Sequence, residues 1–174
     1  MSAVEILVAD AGPLIALARI NALGLLARRT LRVLLPAQVA AECTAQTDRP
    51  GAGLIRSAID QGTLQVISPV VDDARVIMPG LDEGERAAIT LALVRQAALL
   101  IDDRIGRRQA SALGLTVIGT LGVLLNAKRR GDVKTVAPLL EQLNAVGYYI
   151  GPALAERALE LAGEARAQRG VKPE

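Results

Sequence analysis

The stretch VEILVADAGPLIALARI, Val4–Ile20, decides the fold. Val4–Ala9 is a short apolar run that stops at Asp10, and Ala11-Gly12-Pro13 turns the chain into a second apolar segment. A short apolar run closed by turn residues reads as a buried strand, and proline is tolerated where a helix begins, so a helix is expected from Pro13. The same order returns further on. Ala98–Ile101 is apolar, Asp102 and Asp103 follow, and a helix is expected over Arg104–Leu113. Ligands of open parallel sheets bind beyond the carboxyl ends of the strands, so Asp10 and Asp102 are expected on one edge.

Outward from these anchors, the pattern predicts helix over Ala22–Arg29, strand over Leu31–Leu35 closed by Pro36, and helix over Ala37–Thr44. Thr47–Gly53 (TDRPGAG) is loop, helix resumes to Gly62, Leu64–Ile67 is strand, and Ser68–Gly80 is irregular. A helix over Gly84–Gln96, a strand over Leu115–Ile118 and helices over Thr120–Arg130, Thr135–Val146 and Pro152–Gln168 complete the reading, before a frayed Arg169–Glu174. Short apolar runs alternating with amphipathic helices predict a parallel sheet covered on both faces, an α/β sandwich. At 174 residues, with no repeat and no linker, the chain is read as one domain. Residues 1–150 form its body and 151–174 a helical extension of the same domain.

Composition narrows the chemistry. Apolar residues make up 51% of the chain but aromatics only 1%, so the core is Leu, Ile, Val and Ala, and aromatic platforms for stacking bases are excluded. The net charge of +2, from 20 basic and 18 acidic residues, leaves any polyanion to be held by local patches. There is no histidine, so Ser-His-Asp and Cys-His devices are excluded, and one cysteine leaves no zinc set. Cys43 has no partner for an internal disulfide, which fits a reducing cytoplasm. No basic leader is seen at the N-terminus. Gln109–Ala127 lacks charge, yet its Gly114, Gly119, Gly122 and polar residues read as helix end, strand and new helix instead of a membrane span.

The remaining chemistry lies in the acids Asp10, Glu42, Glu85 and Asp102. Each has a plain structural alternative. Asp10 could cap the helix that follows it, and Asp82 with Glu85 has capping-box spacing in LDEGERAAI. Asp102 or Asp103 could cap the next helix, and Glu42 could face water. As a set they mean more. Carboxylates within roughly 6 Å repel by about 3 kcal/mol per pair at an effective dielectric near 20, so a cluster needs protons or a cation. All-oxygen ligation points to Mg²⁺ or Mn²⁺.

Competing motifs fail. No Gly-x-x-x-x-Gly-Lys-Ser/Thr loop is present, Arg56 stands where a dinucleotide fingerprint begun at Gly51 and Gly53 needs glycine, and Gly12 stands where an Asp-x-Asp phosphatase needs an acid. Arg104, Arg107 and Arg108 share a helical face, either as a phosphate clamp, or in salt bridges with Asp103, or as a solvated surface. Lys128, Arg129 and Arg130 complement the dipole at a helix C-terminus.

VADAGPLIALARI, LDEGERAAITLAL and LLIDDRIGRRQASALGLTVIGTLGVLLNAK, in this order, resemble the PIN-domain family, and more narrowly a VapC-related branch. The resemblance covers about residues 4–150. It implies a three-layer α/β/α sandwich with a central parallel sheet, an acidic pocket for Mg²⁺ or Mn²⁺, and metal-dependent cleavage of RNA. The family acids fall on Asp10, Glu42, Glu85 and Asp102, with Asp103 beside the last. Thr120 resembles a small hydroxyl residue of the family pocket, and Glu stands at the third position where the toxins have Asp. The expectation is a divalent-metal ribonuclease with Asp10, Glu85, Asp102 and Asp103 as ligands. Arg104, Arg107 and Thr120 are expected to meet nucleic acid. The resemblance also suggests a homodimer and a small antitoxin, with the Leu154, Ala158, Leu161 and Ala162 stripe serving either contact or its own sheet. The alternative is a PIN-like nucleic-acid-binding or regulatory module without useful catalysis.

Overall fold

The computed structural model describes residues 5–28, 31–68, 71, 73–76 and 79–164. The chain separates into two compact units, Met1–Val123 and Leu124–Glu174.

In the first unit, β1 (Glu5–Ala9) leads into α1 (Ala11–Arg19), and β2 (Leu31–Pro36) runs into α2 (Ala37–Thr44) with no loop between them. Then come α3 (Ala52–Asp60), β3 (Leu64–Ile67), α4 (Glu83–Arg95), β4 (Ala98–Leu100), α5 (Arg104–Ala112) and β5 (Val117–Ile118). The strands form one parallel sheet in the order β3-β2-β1-β4-β5. Right-handed crossovers put helices on both of its faces, a three-layer α/β/α sandwich. On one side α1, α2 and α3 pack together, while α4 packs on β1, β2 and β4 and against α5. In addition α2 touches α4.

The all-aliphatic core is as composition requires. Leu14, Leu17, Leu34, Leu35, Ile55, Ile89, Leu99 and Leu100 are fully buried. Burying each contributes about 1.5–3 kcal/mol, and truncating one to alanine costs about 2–5 kcal/mol. With α4 wedged among sheet, α2 and α5, its run Ala87–Ala92 is buried at every position.

Several boundaries differ from expectation. A helix starts at Ala11 instead of Pro13, leaving Pro13 in the first turn where its missing N–H costs nothing. The helix expected over Ala22–Arg29 is a short 3₁₀ segment, Leu23–Leu26, held by i→i+3 bonds such as Ala27 N–H to the Gly24 carbonyl; Arg29 lies outside the described residues. The strand at Leu115 begins later, because Leu115 N–H still bonds the Ala110 carbonyl in the turn that closes α5 at Gly114. Val4, expected to start β1, lies outside the described residues.

The second unit continues α6 (Thr120–Arg130) and adds α7 (Ala137–Ala145) and α8 (Pro152–Leu161). The last helix stops well before Gln168 because Gly163, at φ 68°, turns the chain left-handed and Glu164 N–H bonds back to Leu159. Gln168 and the expected frayed tail lie outside the described residues. That turn directs the Glu164 carboxylate onto Lys128 and onto the Val136 and Ala137 N–H groups at the start of α7. Of the basic trio, Lys128 therefore pairs with Glu164, Arg130 with Asp132, and Arg129 with the side chain of Asn126. No helix among the described residues is long and apolar enough to cross a membrane.

Candidate functional site

The strand order reverses between β1 and β4, which places a crevice at their carboxyl ends. Ala9 is level with Leu100, and Asp10 N–H donates to the Leu100 carbonyl at 2.9 Å, so the two strands stay joined to the point where the acids begin. Asp10 and Asp102 therefore leave neighbouring strands on the same edge of the sheet.

Asp10 occupies the N-cap position of α1, yet its side chain makes no capping hydrogen bond. It is only 7% exposed. Burial pushes its carboxyl up to about 7 from an ordinary 3.8, and the charges of Glu85, Asp82 and Glu42 add to that push while the Ala11 N–H opposes it. Capping alone does not account for this residue.

Asp102 is held differently. Its Oδ1 accepts from the Thr120 N–H at 2.8 Å and its Oδ2 from the Thr120 hydroxyl at 2.6 Å. Thr120 is completely buried. Its hydroxyl orients the Asp102 carboxylate. Gly119 makes room for this arrangement: a Cβ there would lie 2.9 Å from Asp102 Oδ1 and 2.7 Å from an Arg107 guanidinium nitrogen.

Asp103 caps α5, accepting from Gly106 N–H at 2.8 Å, so the doublet divides its work. Asp102 faces Thr120 and Asp103 closes the helix. The charge of Asp103 still reaches Glu85.

Glu85 and Asp82 form the capping box that the spacing predicts. Glu85 N–H donates to Asp82 Oδ1 at 2.8 Å, and Asp82 N–H donates to Glu85 Oε2 at 2.9 Å. This fixes one Glu85 oxygen. Burial raises the Glu85 carboxyl, with Asp82, Asp103 and Glu42 raising it further against the pull of the Asp82 N–H.

Glu42 comes from α2 through the α2–α4 contact. The residue is exposed, but its carboxyl is raised by partial burial and by Asp82, with Arg49 opposing. Together Glu42, Asp82, Glu83, Gly84, Ala37, Gln38 and Ala41 line a cleft of about 560 Å³. Between Glu42 and Asp10, the buried thiol of Cys43 is pushed up to about 12 by burial and by both acids, which makes it inert.

The structure thus brings the charges of Asp10, Glu42, Glu85 and Asp82 onto one another. Asp82 is the acid that sequence reasoning read only as a cap; its place three residues before Glu85 was the available signal. Among the described residues no group of three or more acids or cysteines is arranged to hold a metal ion. The donor chemistry nevertheless fits a hard divalent cation: the groups are all oxygen, mutually repelling, and one is buried without a capping partner.

The cationic residues lie beside the acids. Arg107 is half-buried and donates to the Ile101 carbonyl at 3.1 Å, while Arg104 and Arg108 are exposed on α5. None of the three pairs with Asp103 in a salt bridge among the described residues.

A family model described as a PIN domain matches residues 6–164. No curated protein and no solved structure matches the chain.

Proposed function

This chain belongs to the PIN-domain family, and on that premise we propose that it is a divalent-metal-dependent endoribonuclease that hydrolyses phosphodiester bonds at the acidic cleft. The single observation that carries the reading is Asp10, a buried acid without a cap whose carboxyl is pushed up to about 7 by burial and by the other acids that face it. A site that keeps such repulsion needs a proton or a cation to relieve it.

Asp10, Glu42, Glu85 and Asp102 are the groups that would hold Mg²⁺ or Mn²⁺, with Asp103 adding charge from the end of α5. Bound ions of this kind supply an activated water and stabilise charge on the phosphate and the leaving oxygen. The chain's own residues do the rest. Thr120 fixes the orientation of Asp102, and Asp82 fixes one oxygen of Glu85. Arg104 and Arg107, on the helix that starts beside the acids, grip the RNA backbone; with so few aromatics, that grip is made on phosphate instead of stacked bases.

The reading extends to a VapC-like setting in the cytoplasm, with a small antitoxin and a second copy of the chain as partners. A free, buried Cys43 suits a reducing compartment, and the exposed Tyr149, Leu154 and Leu161 of the second unit offer apolar contact surface.

Calorimetric titration with Mn²⁺ tests the metal requirement. Heat of binding and a raised unfolding temperature at millimolar metal are expected. Absence of both would favour the alternative, a PIN-like nucleic-acid-binding module without catalysis.

A further inference from the structure

We propose that Gly84 is the aperture that lets the Glu42 carboxylate enter the acidic cleft, and so positions that side chain for the cation. The inference rests on the reading of Glu42 as a metal ligand.

Gly84 is buried in the first turn of α4, at the second helical position. Its backbone does not adopt a left-handed conformation, so the chain path does not require glycine. Helix propensity disfavours it, since only proline is a poorer helix former. What a side chain there would crowd is the Glu42 carboxylate. A Cβ on residue 84 would stand 3.1 Å from Glu42 Oε2, 3.4 Å from Asp82 Oδ1 and 3.6 Å from Val39 Cγ2. The Val39 contact is ordinary, so the apolar packing of α2 on α4 would accept a methyl group. Asp82 Oδ1 is tied to Glu85 N–H at 2.8 Å and cannot easily yield. The free end of Glu42 is therefore the group that gives way, by a few tenths of an ångström, which shifts its carboxylate from the place it holds beside Asp82.

This also accounts for the poor motif around Glu42. The sequence VAAECT says little because the information that seats this acid lies in the glycine of LDEGER, on the helix facing it.

The test is a cycle of Gly84→Ala, Glu42→Ala and the double variant, read by Mn²⁺ affinity and by unfolding temperature. The expected result is that Gly84→Ala keeps or raises the unfolding temperature and weakens Mn²⁺ binding roughly 10-fold, the scale of a lost supporting interaction. In the Glu42→Ala background the same methyl group is expected to change nothing. If Glu42→Ala weakens binding but Gly84→Ala does not, or if Gly84→Ala weakens it equally without Glu42, the role of Gly84 is overturned and Glu42 stands as a ligand. If Glu42→Ala itself leaves Mn²⁺ affinity unchanged, the ligand reading falls and the aperture falls with it.

Discussion

Thr120 holds Asp102 through both carboxylate oxygens, its N–H at 2.8 Å and its hydroxyl at 2.6 Å. Because Thr120 also begins α6, the helix start and the acid at the end of β4 are fixed by one residue. Thr120→Val keeps the shape and the backbone bond but removes the hydroxyl, leaving Asp102 Oδ2 without that donor. Loss of about 1–3 kcal/mol of stability is expected, together with weaker Mn²⁺ binding. Thr120→Ser should restore both. Denaturant melts and metal titration of the pair check this; a valine variant that matches wild type in both would remove Thr120 from the site.

Asp10 makes the metal-free protein sensitive to pH. Its folded value of about 7 stands above the ordinary 3.8, so between these values the folded chain holds a proton that the unfolded chain has released. Stability from this group is therefore full below about pH 4 and is lost as pH rises toward about 7, a contribution on the order of 4 kcal/mol at most. The raised Glu42 and Glu85 act in the same sense. In EDTA, the unfolding temperature should fall from pH 5 to pH 7.5, and Asp10→Asn should flatten that fall. Stabilisation by Mn²⁺ should grow over the same range, because the cation competes with the proton. Identical profiles for wild type and Asp10→Asn would contradict the account.

Glu164 closes the second unit by joining Lys128 to the first N–H groups of α7. Glu164→Ala removes an ion pair and a helix cap together, and a loss of about 2 kcal/mol is expected. Glu164→Gln should recover part of it through the N–H contacts. Chemical denaturation of the three proteins measures the difference; equal midpoints would show that the contacts contribute nothing.

Arg104 is exposed at the first position of α5, beside the acid doublet. If it grips phosphate, Arg104→Gln should weaken RNA binding by a similar factor for all sequences and lower the salt dependence by about one released counterion. Fluorescence anisotropy at several salt concentrations reads both. An unchanged salt slope would assign Arg104 to the solvated surface.

The sheet was legible because its strands are short apolar runs, and β1, β2 and β4 end at or beside an acid or proline, a signal local to each segment. Val4–Ala9 and Ala98–Ile101 therefore place β1 and β4 closely, and Ala37–Thr44 and Leu64–Ile67 match their elements end to end. Less legible were terminations that depend on hydrogen bonds across a turn. Gly163 stops α8 through the Glu164-to-Leu159 bond, while the apolar pattern alone runs on to Gln168. In the site, the caps are real for Asp82 with Glu85 and for Asp103, since capping is a short-range relation that spacing encodes. The acids without a cap are Asp10, whose side chain caps nothing, and Asp102, which turns to Thr120. Sequence could not separate these cases, because the partners of Asp102 lie 18 residues away and those of Asp10 lie on other helices.

Cleavage of single-stranded RNA by wild type and Asp10→Asn in Mn²⁺ tests most directly whether the converging acids make a metal-dependent ribonuclease. Wild type is expected to cleave in Mn²⁺, to stop when EDTA is added, and to lose at least about 100-fold in rate with Asp10→Asn, whose fold should persist. Undiminished cleavage by Asp10→Asn, or cleavage by wild type that survives EDTA, would contradict the account.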